Sequence, residues 1–305
     1  MRFLLYSILK IIPVLFIITF IVFFLVRLTG DPVALMLPET ATDQQREDLR
    51  NSMGLNDPVY IQYFTYMADV VRGDFGDSFR YNQPAIDIVL ERLPASFTLA
   101  ISSMVVATLI AIPAGIYSAI KRNTVIDVFI TGGSVLGKAM PNFWLGIMLI
   151  LLFAVQVRIF PVSGSGTLMH LVLPSITLGT AIAAEMTRLI RSSMLEVLNM
   201  EYIRTARSKG LREMFVVNKH ALRNALIPVV TIMALQTATL IGGTLITETV
   251  FSWPGMGQLL VQAVNTRDMA VVQAATFIIA ILVILSNLLA DLTYRYLDPR
   301  IKYDD

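Results

Sequence analysis

The chain has no cysteine and only two histidines, His170 and His220. The missing thiols exclude a disulfide scaffold, thiolate zinc sites, iron–sulfur clusters and cysteine nucleophiles. They leave the redox compartment open, because a chain without thiols is indifferent to it. Two histidines so far apart in sequence do not build a metal cage by themselves. Charge is scarce too: 15% of residues are Asp, Glu, Lys or Arg, where a soluble domain carries about 25%. The net charge of +2, with no basic stripe interleaved with aromatics, offers no nucleic-acid footprint. The 305 residues are instead 55% hydrophobic, with a mean hydropathy of +0.68.

The apolar residues lie in long blocks, so the chain reads as an all-α, multi-pass membrane protein. A helix needs roughly 20 apolar residues to cross the hydrocarbon core. Six charge-poor stretches reach or approach that length: 11–26, 97–120, 140–157, 169–184, 224–247 and 269–290. They lack the alternating pattern of barrel strands, and helices pair their own backbone groups inside lipid. The first stretch reads as a retained anchor, because Leu28-Thr29-Gly30-Asp31 is not a small-residue cleavage site.

Lysine and arginine placement sets the orientation. Arg2, Lys10, Lys121, Arg122, eight cations between 185 and 223, and Arg295, Arg300 and Lys302 fall on one side. Arg27, Arg158, Arg267 and the cations scattered through 31–92 fall on the other. The richer side is cytoplasmic, which puts both termini inside. The long loop 31–92 contains two helix-like stretches, 44–53 and 59–72, and is expected to form a small external subdomain. The connection 251–268 opens with Phe251-Ser-Trp253-Pro-Gly-Met-Gly257, a turn-rich stretch read as an aromatic plug dipping into the protein.

Gly132-Gly-Ser-Val-Leu-Gly137-Lys138-Ala139 nearly spells a phosphate-binding loop. However, Ala139 stands where a hydroxyl should hold magnesium, and no core strand precedes it. Gly133 and Gly137 read better as small residues that let another helix approach. The chain therefore has no recognisable ATPase of its own, and no catalytic residue, cofactor or metal site is expected in it. Charges inside spans are the default functional suspects: Lys138 lies within an apolar block, and Glu185, Glu248 and Asp291 lie near span ends. A proton- or ion-coupled carrier, the rival class, would be expected to bury a carboxylate near the midplane, and none falls there. Asn142, Gln236 and Glu248 are further polar groups on or beside these spans.

The cytoplasmic segment 196–223 is the most informative. Glu201-Tyr202-Ile-Arg204-Thr205-Ala206-Arg207-Ser-Lys209-Gly210-Leu211 reads as a short helix stopped by glycine. Glu201 and Arg204 are spaced to pair along one face, and Ala206 and Gly210 to form a small-residue notch. On this pattern alone, a docking helix and a solvated basic loop are equally good readings. The segment resembles the coupling loop of ATP-binding-cassette importer permeases, in the variant of the peptide/opine/nickel permease family. The resemblance continues in His220-Ala-Leu-Arg223-Asn224-Ala225-Leu226-Ile227-Pro228, in Gly30-Asp31-Pro32, Gly54-Leu55-Asn56-Asp57-Pro58 and Gly73-Asp74-Phe75-Gly76. It extends to Leu173-Pro174-Ser175, Glu248-Thr-Val-Phe251, Trp253-Pro-Gly-Met-Gly257 and Arg267-Asp268. Arg204 and Thr205 replace the Glu and Ala of the generic loop, as is usual in the peptide branch.

The resemblance implies a type I importer permease fold with six transmembrane helices. Residues 1–30 would hold the first helix, 31–95 the external subdomain, 96–295 the permease core and 296–305 a cytoplasmic tail. It implies a bacterial or archaeal cytoplasmic membrane, a second paralogous permease, two ATPase subunits that bind ATP and magnesium, and an extracytoplasmic solute-binding protein. Glu201, Tyr202, Arg204, Thr205, Ala206, Arg207, Lys209, Gly210 and Leu211 would couple to the ATPases, and Asn142, Gln236 and Glu248, on or beside cavity-forming spans, would be candidates for the translocation path. Di- or oligopeptides are the expected cargo, with glutathione, opines and nickel chelates as alternatives.

Overall fold

The computed structural model describes residues 2–28, 33, 37, 40–52 and 54–297. Gly30-Asp31-Pro32 and the tail beyond 297 lie outside the described residues. The described elements begin with α1 (Arg2–Leu28), α2 (Asp43–Ser52), α3 (Val59–Arg72), the strands β1 (Asp77–Ser78) and β2 (Gln83–Pro84), and α4 (Ala85–Ile120). Next come α5 (Val125–Ala139), α6 (Asn142–Leu149), which widens into π turns over Ile150–Gln156, and α7 (Leu168–Leu198). After α7 follow α8 (Glu201–Ser208), α9 (Glu213–Phe215) with π turns over Val216–Ala221, and α10 (Leu222–Ala225). The chain ends in α11 (Ile227–Gly243), α12 (Leu245–Val250), α13 (Met256–Thr266) and α14 (Met269–Leu297). These elements form two compact units: residues up to 96 with 254–284, and residues 97–253 with those from 285 onward.

In the first unit, local chemistry explains where the elements start and stop. The Thr42 amide donates to Gln45 Oε1 at 3.0 Å and the Gln45 amide to Thr42 Oγ1 at 3.3 Å. This reciprocal capping starts α2. Gly73 ends α3 at φ 81°, with its amide donating to Val70 O at 3.0 Å. Glycine takes that left-handed position without strain. Asp74 Oδ1 then accepts from the Gly76 amide at 2.9 Å, which folds the Gly-Asp-Phe-Gly stretch and drives Phe75 inward to 7% exposure. Phe75 joins Val70, Ile88, Met256, Leu259 and Val271 in one apolar core. At the α13–α14 corner, Asp268 caps α14 through the Val271 amide and accepts a hydrogen bond from the Ser78 hydroxyl of β1.

In the second unit, α4 and α7 pack closely because glycines stand at the contacts. A Cβ at Gly179 would lie 2.9 Å from Ser103 O, and one at Gly115 would lie 2.6 Å from Ile190 Cβ. Between them Ser102 and Ser175 share a hydroxyl–hydroxyl bond of 2.7 Å. The stretch read as 140–157 is only the second arm of a longer feature. Helix α5 precedes it, and the two arms bend by 104° at Met140-Pro141. Lys138 had cut the charge-free stretch short. The Gly132–Lys138 run lies within α5, where Gly137 touches Thr180 and Ala184 of α7 while Gly133 faces open space.

The stretch read as 169–184 continues unbroken past Glu185 to Leu198. The stretch 224–247 divides at Thr244. Phe251 and Trp253 are 2% and 6% exposed. Phe251 presses against Gly146 and joins Leu173 and Ala154 in a small core, so this end of the 251–268 connection does plug into helices. Among the described residues, three helices are long and apolar enough to cross a membrane: Ala85–Ile120, Leu168–Leu198 and Met269–Thr293. The bent pair makes a fourth if counted as one span. Ile11–Leu25 and Ile227–Thr237 are shorter apolar helices.

Candidate functional site

The segment 196–223, expected to couple to the ATPases, continues directly from the end of α7 through a turn at Asn199-Met200. Helix α8 is strongly two-sided. Ile203 and Ala206 are buried, whereas Glu201, Tyr202, Arg204, Thr205, Arg207, Lys209, Gly210 and Leu211 are exposed. Inward-facing Ile203 and Ala206 leave the polar face free. Two ties fix α8 to the short helices that follow it, α9 and α10. Arg207 makes a two-point pair with Glu213, Nη2 to Oε1 at 2.6 Å and Nε to Oε2 at 3.0 Å, and Asn224 Nδ2 donates to Tyr202 Oη at 2.8 Å. The hydrogen bonds from Arg207 hold the Glu213 carboxyl below its ordinary range, and the same bonds raise Arg207.

Two sequence expectations change here. The expected Glu201–Arg204 pair gives way to Arg207–Glu213. Ala206 and Gly210 do not form a surface notch, because Ala206 faces inward. Gly210 is required for another reason: it caps the helix at φ 75°, and a Cβ there would meet no atom within 4 Å. Met200, Leu211, Met214 and Phe215 add exposed apolar surface around α8.

Further along α7, Arg191 grips Asp127 at the start of α5, with Nε to Oδ1 at 2.7 Å and Nη2 to Oδ2 at 2.8 Å. Asp127 is 5% exposed. It also accepts from the Ser118 hydroxyl on α4 and from the Asn123 amide at 2.9 Å. One carboxylate thus ties three elements together. Sequence reading missed it. The available signal was an acidic residue in the first turn of an apolar helix.

The third polar group lies between α5, α7 and α11. Lys138 Nζ is 2.6 Å from Glu185 Oε2, and Gln236 Nε2 donates to the same oxygen at 3.2 Å. Lys138, Asn142, Ile182, Gln236 and Thr239 help line a cavity of about 190 Å³. Of the three path candidates, Asn142 and Gln236 therefore meet at one cavity. Glu248 does not: it is fully buried, accepts from Thr244 Oγ1 at 2.9 Å, and its backbone carbonyl receives the Trp253 amide at 2.8 Å. It organises the break between α11 and α12. No cluster of three or more His, Asp or Glu suited to a metal ion occurs among the described residues.

Residues 111–303 match the family described as the binding-protein-dependent transport system inner membrane component, and residues 1–100 match its N-terminal family. The chain belongs to this family. It is 43% identical over 304 residues to the oligopeptide transport system permease protein AppB of Bacillus subtilis, covering 96% of each chain. It is 40% identical to the dipeptide transport system permease protein DppB of Alkalihalophilus pseudofirmus, covering 97% of each. It is also 43% identical to the glutathione transport system permease protein GsiC of Escherichia coli K12, again covering 97% of each. In fold, this permease resembles the inward-facing MetNI methionine ABC transporter, with TM-score 0.55, 19% identity, and 69% of this chain and 96% of that one covered. An amino acid ABC transporter solved with histidines gives TM-score 0.52 at 13% identity, covering 69% and 94%. The permease is thus a predominantly helical membrane protein of the ABC importer type.

Proposed function

We propose that this chain carries di- or oligopeptides into the cell as one half of a translocation pathway, moved by ATPase subunits that grip α8. It would cross the cytoplasmic membrane six times with both termini inside, and 31–95 would form the external segment. Its partners are a second permease, two ATPase subunits that hold ATP and magnesium, and an extracytoplasmic binding protein. The observation that carries the reading is the two-sided α8, anchored by Ile203 and Ala206 with Arg204, Thr205 and Lys209 exposed.

Helix α7 makes the transmission physical. It is a single 31-residue helix, about 46 Å long at 1.5 Å per residue. It ends just before α8, is pinned to α5 by Arg191–Asp127, and lines the cavity with Leu178, Ala181 and Ile182. A push on α8 therefore moves a stiff rod whose far part borders the path. The cycle is a two-state equilibrium. ATP and the loaded binding protein must favour the outward state by about 5.5 kcal/mol to swing it from 1:99 to 99:1.

The test is Arg204→Glu on the free face of α8, measured in the assembled transporter in vesicles. Membrane insertion should persist while peptide uptake falls and ATP hydrolysis no longer responds to the loaded binding protein. Normal coupled uptake would overturn the docking assignment. Uptake that follows a proton gradient without the ATPases would instead establish an ion-coupled carrier. Glutathione is the second cargo reading, favoured by the GsiC relative. Competition between glutathione and unmodified dipeptides for uptake separates the two.

A further inference from the structure

We infer that α3 is a membrane-surface helix whose uncovered apolar flank lies in the outer-leaflet acyl region beside α1. The inference rests on α1 crossing the bilayer, as proposed above. At 100° per residue, Tyr63, Tyr66 and Val70 share one arc of α3, and Tyr60, Phe64 and Val71 occupy the adjoining arc. The first set is covered: Tyr63 and Val70 are 6% and 5% exposed, and Tyr66 packs against the core that contains Val70. The second set continues the same apolar face and is bare, at 65%, 66% and 82% exposed. Gln62, Thr65, Asp69 and Arg72 fill the opposite side. Such a helix, half covered by its own protein and apolar well beyond that cover, needs a second apolar environment.

The contacts with α1 say which environment. Tyr63 packs its ring against Phe16, Phe20 and Phe23 at 5.7, 5.6 and 5.2 Å between centroids, and its hydroxyl lies 3.3 Å from Thr19 Oγ1. Tyr66 stacks on Phe23 at 5.5 Å. One residue away from Tyr63, Gln62 accepts a hydrogen bond from Arg27, whose guanidinium also lies 3.7 Å over the Phe23 ring. Gln62 thus sits level with Arg27, where the apolar stretch of α1 ends, while the Tyr63 ring reaches down to Phe20. Phe20 is seven residues below Arg27, about 10 Å along the helix. Interfacial helices bury their apolar face about 5–10 Å deep. The neighbouring flank of α1, Ile17, Ile21 and Leu25, is itself exposed and apolar. The bare face of α3 extends that surface, and tyrosines at this level suit the headgroup boundary.

The absence of cysteine makes the test direct. Single cysteines at Tyr60, Phe64, Thr65, Val71, Arg72 and, on α1, Ile17 are spin-labelled in the assembled transporter in nanodiscs, with partner subunits lacking reactive thiols. All six side chains are partly or fully exposed, so the fold should tolerate them, and coupled uptake serves as the check. Labels at 60, 64 and 71 should collide several-fold more with membrane-dissolved oxygen than with a water-soluble nickel chelate. Labels at 65 and 72 should show the reverse. If position 17 reports lipid but 60, 64 and 71 report water, the inference fails while the span stands. Labels at 60, 64 and 71 shielded from both probes would place a partner protein there and likewise overturn it. A water-exposed label at 17 would sink the span assignment itself, and the inference with it.

Discussion

Two of the ion pairs in the second unit are of opposite design. Asp127–Arg191 is a two-point pair in which Asp127 is 5% exposed, and it is reinforced by Ser118 and the Asn123 amide. Lys138–Glu185 is a single contact with side chains 50% and 30% exposed, held on one flank by Gln236 at the edge of a cavity. A buried pair whose oxygens are all satisfied is costly to break and fixes one arrangement. An open pair with one supporting bond exchanges partners at little cost. Both involve α5 and α7, so one helix pair carries a fixed joint at the start of α5 and an exchangeable one at the cavity. In the proposed cycle, a rod that transmits motion would need the first, and a path that opens would need the second.

Breaking the fixed joint should have the largest effect. Arg191→Ala leaves the Asp127 charge buried without its partner, a defect that costs about 3–5 kcal/mol. The yield of folded protein and the melting temperature should fall steeply, and Asp127→Asn combined with Arg191→Met should recover much of the loss. Equal stability of the single and double variants would mean the pair is not a joint. Next in size is Gly115→Ala, one turn before Ser118 on α4. Its Cβ would lie 2.6 Å from Ile190 and 3.0 Å from Thr187 O, so α4 and α7 must move apart. Overpacking of this kind costs about 1–3 kcal/mol, read as a lower melting temperature.

Much of the segment 196–223 was legible in sequence because its determinants are local. Gly210 stops α8 where the left-handed cap is needed, and the exposed charges follow from the helical repeat. What stayed hidden was non-local. Asp127 and Arg191 are separated by 64 positions, and no periodicity links them. The inward turn of Ala206 depends on the packing of α8 against the distant π turns over Val216–Ala221. The 104° bend was missed because a charge-free search ends at Lys138, although Pro141 stands directly at the break. Glu248 looked like a path residue from its place at a span end. Only packing reveals that it faces Thr244 and leaves the cavity to Asn142 and Gln236.

The exchangeable joint should separate stability from transport. Glu185→Gln keeps the size of the side chain and a carbonyl for Gln236 but removes the attraction for Lys138. Stability should change by less than about 1 kcal/mol, the range of exposed pairs, while uptake kinetics shift. If uptake and ATP turnover both match the parent chain, Lys138–Glu185 is a surface pair with no part in gating, and the contrast with Asp127–Arg191 loses its functional half.

The smallest effect belongs to the third pair, Arg207–Glu213, where both side chains are largely exposed. Because Glu213 is held below its ordinary range by Arg207, its contribution is present above the usual carboxylate pKa and fades as pH falls through the lowered value. Glu213→Gln should therefore cost less than about 1 kcal/mol near neutrality, and less again in high salt, which screens exposed charges. Coupled uptake is the sharper readout, since the pair positions α8 without touching its free face. A modest loss of coupling near neutral pH that disappears in acid, where the parent chain also loses the pair, would make Arg207–Glu213 a brace. An unchanged pH profile would leave Ile203, Ala206 and the Asn224–Tyr202 hydrogen bond as the anchors of α8.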